Sequence, residues 1–238
     1  MKIGVSVSPM GSLEEQIRDS LDSADFVEIP IGEQERDIEE IDPEHVRKIL
    51  EEQGYDVITH LPFSQPVVTR IEEFNQAEIN YLERVIEFSS EIGAEKTVLH
   101  PNIRYREDGD MEELLREQLK KIDKVAEENG VELCVENMPP QINSAANNFE
   151  LAKILNDLDI SMCFDTGHGY SSMGQEEMEE FIQEHGNIIT HLHLQDTEEG
   201  KDLHLPVGSK DIDFEPLAEL LSEFDGTTTM EVFCSDDD

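Results

Sequence analysis

Two periodicities alternate along this chain. Short apolar runs at residues 3–7, 26–29, 56–60, 96–100, 131–136, 161–164, 188–194 and 227–233 have the length and flanking breakers of buried strands. Between them apolar residues recur every three or four positions, the period of a helix with one buried face. These amphipathic stretches cover residues 12–21, 43–54, 71–92, 111–129, 148–155, 175–185 and 215–224. Their ends carry matching punctuation. Ser12-Leu13-Glu14-Glu15 reads as a capping box, Asp42-Pro43 as an N-cap with proline in the first turn, and Gly54, Gly93 and Gly130 as stops. Eight strands alternating with helices predict an α/β fold, a (β/α)8 TIM barrel in a single domain over residues 1–238. No helical pattern follows the eighth strand, so that edge is expected to be bare or covered by a second subunit in a homodimer.

Composition changes the picture of the surface more than that of the core. Apolar residues make up 37% of the chain, enough for a core because they fall in periodic runs. Fifty-seven Asp and Glu against 17 Lys and Arg give a formal net charge of −40. The acids are spread over every helix, as in Glu14-Glu15, Glu39-Glu40, Glu72-Glu73 and Glu176-Glu177. A disordered acidic chain would lack the apolar runs. The composition resembles that of halophilic proteins from a high-salt cytosol, whose self-repelling surface needs screening; an unrelated cation-binding surface is the alternative. Cys134, Cys163 and Cys234 show no pairing pattern and read as small core residues in a reducing compartment. With no signal-peptide pattern and no apolar run near 18 residues, a soluble cytoplasmic protein without membrane contact is expected.

The strand ends carry the chemistry. In a barrel of this kind active sites lie at the C-terminal ends of the strands. Those ends present, in order, His60, His100, Glu136, Asp165, His193 and Glu231. The loop after the seventh strand adds Asp202-Leu203-His204. Asp165-Thr166-Gly167-His168 adds His168, with Gly167 and Gly169 expected to form a sharp turn aiming Asp165 and His168 at one point. Each residue alone has a bland reading: a lone strand-end His is usually a hydrogen-bonded core residue, and a Glu there a solvated rim residue. Together, acids and imidazoles with little Lys or Arg among them would repel or be protonated unless a cation joined them. The set therefore points to a divalent metal. His45 and His185 fall on helices, and His191 is expected to pack inside the barrel below His193.

The ordered set His60, His100-Pro101, Glu136-Asn137, Asp165-Thr166-Gly167-His168, His193-Leu194-Gln195-Asp196, Asp202-Leu203-His204 and Glu231 resembles the xylose isomerase-like TIM barrels over nearly the whole chain. That superfamily joins sugar isomerases and epimerases to the endonuclease IV group of apurinic-site nucleases. For the sugar enzymes, the resemblance implies one zinc or manganese ion on Glu136, Asp165, His193 and Glu231. Glu136 and Glu231 would then flank the substrate carbon as acid and base, with His168 holding a substrate oxygen. For the nucleases, it implies up to three zinc ions on His60, His100, Glu136, Asp165, His168, His193, Asp202, His204 and Glu231.

Departures from the nuclease pattern favour the sugar branch. Pro101 is followed by Asn102 where the nucleases favour glycine, and the stretch after His60 lacks the pattern of their DNA-facing loop. The chain also departs from many sugar-branch barrels, with Lys210 where a glycine is common. Arg104, Arg106, Lys201 and Lys210, with Arg70, fall in mouth loops and suit a phosphate of a sugar phosphate or of nucleic acid. The expectation is a metal-dependent sugar or sugar-phosphate isomerase/epimerase. The alternative is a zinc-dependent apurinic/apyrimidinic endonuclease, the one reading that brings nucleic acid in as a partner.

Overall fold

Strand by strand, the backbone closes on itself. Strands β1 (Lys2–Ser6), β2 (Phe26–Pro30), β3 (Asp56–His60), β4 (Lys96–Leu99), β5 (Glu132–Glu136), β6 (Ser161–Asp165), β7 (Ile189–Leu194) and β8 (Thr227–Met230) form a closed barrel in chain order. Every neighbouring pair is parallel, and β8 returns to β1 with Lys2 opposite Thr227 and Val5 opposite Met230. This is the predicted (β/α)8 architecture. The computed structural model describes residues 1–33, 36–103 and 111–233. Around the strands lie α1 (Leu13–Arg18), α2 (Pro43–Gln53), α3 (Glu72–Glu91), α4 (Met111–Asn129), α5 (Asn148–Leu158), α6 (Thr166–His185) and α7 (Phe214–Leu220). Among the described residues no helix follows β8, and no helix is long and apolar enough to cross a membrane.

Two cores result from the strand pleat, whose successive side chains face opposite sides. Outward residues such as Val27, Ile29, Val57, Leu99, Val135 and Phe164 pack with helix residues such as Leu82, Leu119, Leu155 and Phe181. Inside the barrel, Phe26, Ile58, Val98, Cys134 and Cys163 form a separate apolar layer. Phe26 fills the space that a side chain on β1 would need: a Cβ at Gly4 would lie 2.4 Å from its ring. Two residues further along the same strands, the inward positions are Glu28, His60, His100, Glu136 and Asp165. Cys134 and Cys163 are free and buried, as expected of core thiols, while Cys234 lies outside the described residues.

An irregularity in β7 turns its histidines inward. Met162 pairs with Ile189 but Cys163 pairs with His191, so Thr190 is the extra residue of a bulge. Ile189 sits in the outer core, and unbroken alternation from it would send His191 and His193 outward as well. The bulge is tied down from two sides. Thr190 Oγ1 lies 2.6 Å from Glu132 Oε1, and Lys96 Nζ donates to the Thr190 carbonyl at 3.0 Å.

The region after β6 corrects the expected glycine turn. Residues 166–174 are the first half of α6, which kinks at Gly174 (φ 75°, ψ 177°), close to the predicted helix start at 175. Asp165 is the N-cap, its side chain accepting from the His168 N–H at 2.6 Å. Gly167 and Gly169 are therefore required by packing and not by a turn. A Cβ at Gly167 would meet Gln195 Cδ at 2.5 Å, and one at Gly169 would meet the Phe164 ring at 2.7 Å. Smaller differences lie at element ends: α5 runs on to Leu158, α7 stops at Leu220, and β8 stops at Met230, leaving Glu231 just beyond the strand.

Candidate metal centre

Glu136 ends β5 at the middle of the barrel mouth and is 1% exposed. Its two oxygens face different partners. Oε2 lies 2.9 Å from His100 Nε2 and 3.4 Å from His60 Nε2, and those two ring nitrogens are 3.1 Å apart. His60 Nδ1 lies 2.9 Å from the Leu61 carbonyl, so that nitrogen carries the proton and Nε2 offers its lone pair to the site. Glu136 Oε1 lies 3.1 Å from His168 Nδ1 and 3.4 Å from His193 Nδ1.

The second cluster lies on the other side of Glu136. Asp165 is fully buried and is held by the His168 N–H and by Gln195 Nε2, 3.2 and 3.1 Å from its two oxygens. Asn137 brackets the same residue, accepting from the Asp165 N–H at 2.7 Å and donating to its carbonyl at 3.1 Å. His193 Nδ1 lies 3.0 Å from Glu231 Oε2, yet neither atom makes a well-aligned hydrogen bond. Buried polar atoms are rarely left this way. Two orphaned atoms facing one another, with a second carboxylate 3.4 Å from the ring nitrogen, suit a divalent cation between them.

A third cluster sits above, in the loop after β7. Asp202 bridges two rings, with Oδ2 3.3 Å from His168 Nε2 and Oδ1 3.3 Å from His204 Nε2. His204 adopts a left-handed backbone (φ 49°), strained for a residue with a side chain, and Gln195 Oε1 holds its N–H at 2.8 Å. In each cluster (His60, His100, Glu136; Glu136, Asp165, His193, Glu231; His168, Asp202, His204) the ligand atoms lie within 4.8 Å of one another. All nine strand-end and loop residues singled out in the sequence are thus brought together. A deeper grouping of Cys163, His191 and His193 also exists. His191 there has both nitrogens engaged, Nε2 by Glu28 at 3.1 Å and Nδ1 by Thr227 Oγ1 at 2.8 Å.

The electrostatics show the same need for positive charge. Burial works against a charge on every one of these histidines. Neighbouring acids nevertheless raise His60, His168 and His193 above the ordinary value, and His204 to about 9. His100 stays below its ordinary value because burial prevails. Burial likewise pushes Glu136 up, but His100 and His193 hold it well below the usual carboxylate range. Asp165 is driven up to about 6, by burial first and then by Glu231 and Glu136, with His168 opposing.

A cavity of about 240 Å³ opens onto these clusters, with Phe63, Met138, Ile142 and Phe233 as its apolar walls. A shallower groove of about 740 Å³ follows the loop before α5, and none of the clustered residues lines it. The basic residues chosen for phosphate behave differently. Lys201 and Lys210 both reach Glu198, at 2.5 and 2.6 Å, and neither lines the cavity. Arg104 and Arg106 lie outside the described residues.

Two contributors were not singled out in the sequence. Glu28 is buried in β2, with Oε1 3.0 Å from His193 Nε2. Its signal was an acid in the middle of the apolar run Phe26-Val27-Glu28-Ile29-Pro30. Gln195, quoted only within the motif after His193, joins Asp165, Asp202 and His204.

Comparison with known proteins follows the same lines. The sequence model of the family described as "Xylose isomerase-like TIM barrel" matches residues 21–238. The chain is 26% identical to "Uncharacterized protein MJ1311" of Methanocaldococcus jannaschii over 205 residues, 80% of this chain and 70% of that protein. It is 27% identical to "Probable endonuclease 4" of Bacillus subtilis over 209 residues, 79% of this chain and 69% of that one. A solved D-tagatose 3-epimerase-like protein superposes with a TM-score of 0.82 at 24% identity, covering 98% of this chain and 91% of its own. The IOLI protein, solved with a binding zinc atom, superposes with a TM-score of 0.77 at 17% identity, covering 98% and 89%. At these identities the superpositions speak for the fold.

Proposed function

We propose that this chain, which belongs to the xylose isomerase-like TIM barrel family, is a metal-dependent isomerase or epimerase of a sugar or sugar phosphate. The observation that carries the reading is the pair of orphaned buried atoms, His193 Nδ1 and Glu231 Oε2, beside Asp165 and Glu136, with Glu136 and Glu231 lining a small cavity. Glu136, Asp165, His193 and Glu231 would hold a zinc or manganese ion, which when bound polarises an α-hydroxy carbonyl and acidifies the C–H between its oxygens.

The chain's own groups supply the rest. One of Glu136 and Glu231 takes the proton from that carbon and the other, or the same one, returns it, to the opposite face for epimerisation or to the neighbouring carbon for isomerisation. His168, whose Nε2 lies 3.3 Å from Asp202 Oδ2, would hold a substrate oxygen. Phe63, Phe233, Met138 and Ile142 exclude water from the carbanion-like intermediate. A cavity of about 240 Å³ has the scale of one monosaccharide. The solved D-tagatose 3-epimerase-like protein and D-psicose 3-epimerase support the same substrate class.

A second reading is favoured by one observation, the assembly of all nine residues into three ligand clusters, two of which share Glu136. Three zinc ions there would suit hydrolysis of a phosphodiester at an abasic DNA site, and the Bacillus subtilis similarity supports it. Two measurements separate the readings: metal content by mass spectrometry, and activity in high salt on ketoses in D2O against an abasic oligonucleotide. Deuterium entering a sugar carbon without strand cleavage supports the isomerase. Near three zinc per chain with cleavage and no exchange replaces it with the nuclease.

A further inference from the structure

We propose that Glu28 is the positioning residue of this centre: from inside the barrel it fixes the His193 ring so that Nδ1 turns a lone pair toward the cation held with Glu136, Asp165 and Glu231. The proposal rests on the metal-centred reading above. Glu28 is 1% exposed, one layer above Phe26 on β2. Its Oε1 lies 3.0 Å from His193 Nε2 and its Oε2 3.1 Å from His191 Nε2, and the Thr229 hydroxyl donates to Oε2. A carboxylate only accepts, so both imidazoles meet it with Nε2–H.

The consequence differs for the two rings. His191 Nδ1 lies 2.8 Å from Thr227 Oγ1 and 3.1 Å from the Thr227 carbonyl, so β8 satisfies that nitrogen away from the site. His193 keeps Nδ1 as an acceptor, but it faces Glu231 Oε2 at 3.0 Å and Glu136 Oε1 at 3.4 Å, and oxygens of that kind have nothing to donate. The carboxylate thus sets the tautomer of His193 and leaves that ring lacking only a cation. A carboxylate behind a ligating imidazole also raises the ring's basicity and locks its orientation. A buried acid is an expensive way to fill an apolar strand unless it has such a task.

The test is Zn²⁺ and Mn²⁺ affinity by chelator competition on wild type, Glu28→Gln and Glu28→Met, with circular dichroism confirming the fold. Gln keeps one acceptor and loses the charge, so affinity should fall about 10-fold; Met removes both and should weaken it about 100-fold. Undiminished affinity in both variants overturns this proposal alone. A wild type that binds no divalent ion overturns the metal-centred reading, and this proposal with it. Should Glu28→Met not fold, the zinc-loaded wild type decides through long-range ¹⁵N–¹H spectra. His193 should carry its proton on Nε2 with Nδ1 ligating, and an Nδ1–H ring ligating through Nε2 overturns the assignment.

Discussion

Gly167→Ala tests whether the site is held by packing at the start of α6. The added Cβ would lie 2.5 Å from Gln195 Cδ and 2.7 Å from its Oε1, so Gln195 must retreat by roughly 0.9 Å to reach ordinary contact at 3.4 Å. Gln195 is fully buried and cannot swing into solvent. Its bonds to Asp165 Oδ2 and Asp202 Oδ1 are 3.1 Å, and that from the His204 N–H is 2.8 Å; a retreat of that size breaks them. Hydrogen bonds to charged groups contribute about 1.5–3 kcal/mol each, and alanine recovers about 1 kcal/mol of helix propensity over glycine. The net loss from the two carboxylate bonds should be about 2–5 kcal/mol, a fall in Tm of about 4–20 °C at this chain length. Calorimetry measures it, and zinc affinity should fall in the same variant because Asp165 and Asp202 lose their common restraint. An unchanged Tm would refute the packing argument. So would a Gly167→Ala/Gln195→Ala double variant that loses the two effects additively, since removing Gln195 removes the clash.

Other outcomes follow from the same geometry. Glu136→Gln and Glu231→Gln should each lower kcat by about 10²- to 10⁴-fold with the circular dichroism spectrum kept; full activity in either removes that residue from the acid–base pair. In the metal-free protein His204 stands at about 9 against an ordinary 6.5, burial opposing its charge and Asp202 restoring it. A folded value above the unfolded one gives stability, here at most about 3 kcal/mol, present below pH 6.5 and lost as the pH rises through 9. Metal-free Tm should therefore fall across that window, while a zinc-loaded protein, which needs neutral rings, should hold or gain; identical pH slopes with and without zinc would contradict this. With a net charge of −40, Tm should climb between about 0.1 M and 2 M KCl as self-repulsion is screened, and a flat salt response would count against surface repulsion as a determinant of stability.

The parts of this molecule legible in its sequence are those written in local periodicity. Strand ends at His60, Glu136 and His193 could be placed because an apolar run of strand length ends in a polar side chain, and the barrel rule assigns those ends to one mouth. Asp42, Pro43 and Gly54 marked α2 because capping is chemistry within a few residues. The glycines after Asp165 misled because the sequence shows their flexibility and not the neighbour that requires them; Gln195 approaches from another strand end. Glu28 was overlooked for a similar reason: its partners His191, His193 and Thr229 lie more than 160 residues away. The Thr190 bulge, which decides whether His193 faces the site at all, leaves no mark in a short apolar strand.

Glu136 is where the two functional readings meet. A proton-transferring carboxylate needs at least one oxygen free to bond a hydrogen, and Glu136 Oε1 already faces the cluster with His193. That leaves Oε2, which lies toward His60 and His100. Were His60 and His100 to hold an ion together with Glu136, this carboxylate would serve as a ligand suited to hydroxide chemistry and would be less available to remove a proton from carbon. Under the proposed isomerase reading, His100 Nε2, 2.9 Å from Oε2, would be the group with which Glu136 exchanges its proton between turnovers. Between the two proposed readings, the choice would therefore turn less on which residues the barrel carries than on whether a metal or a proton lies between His60 and His100.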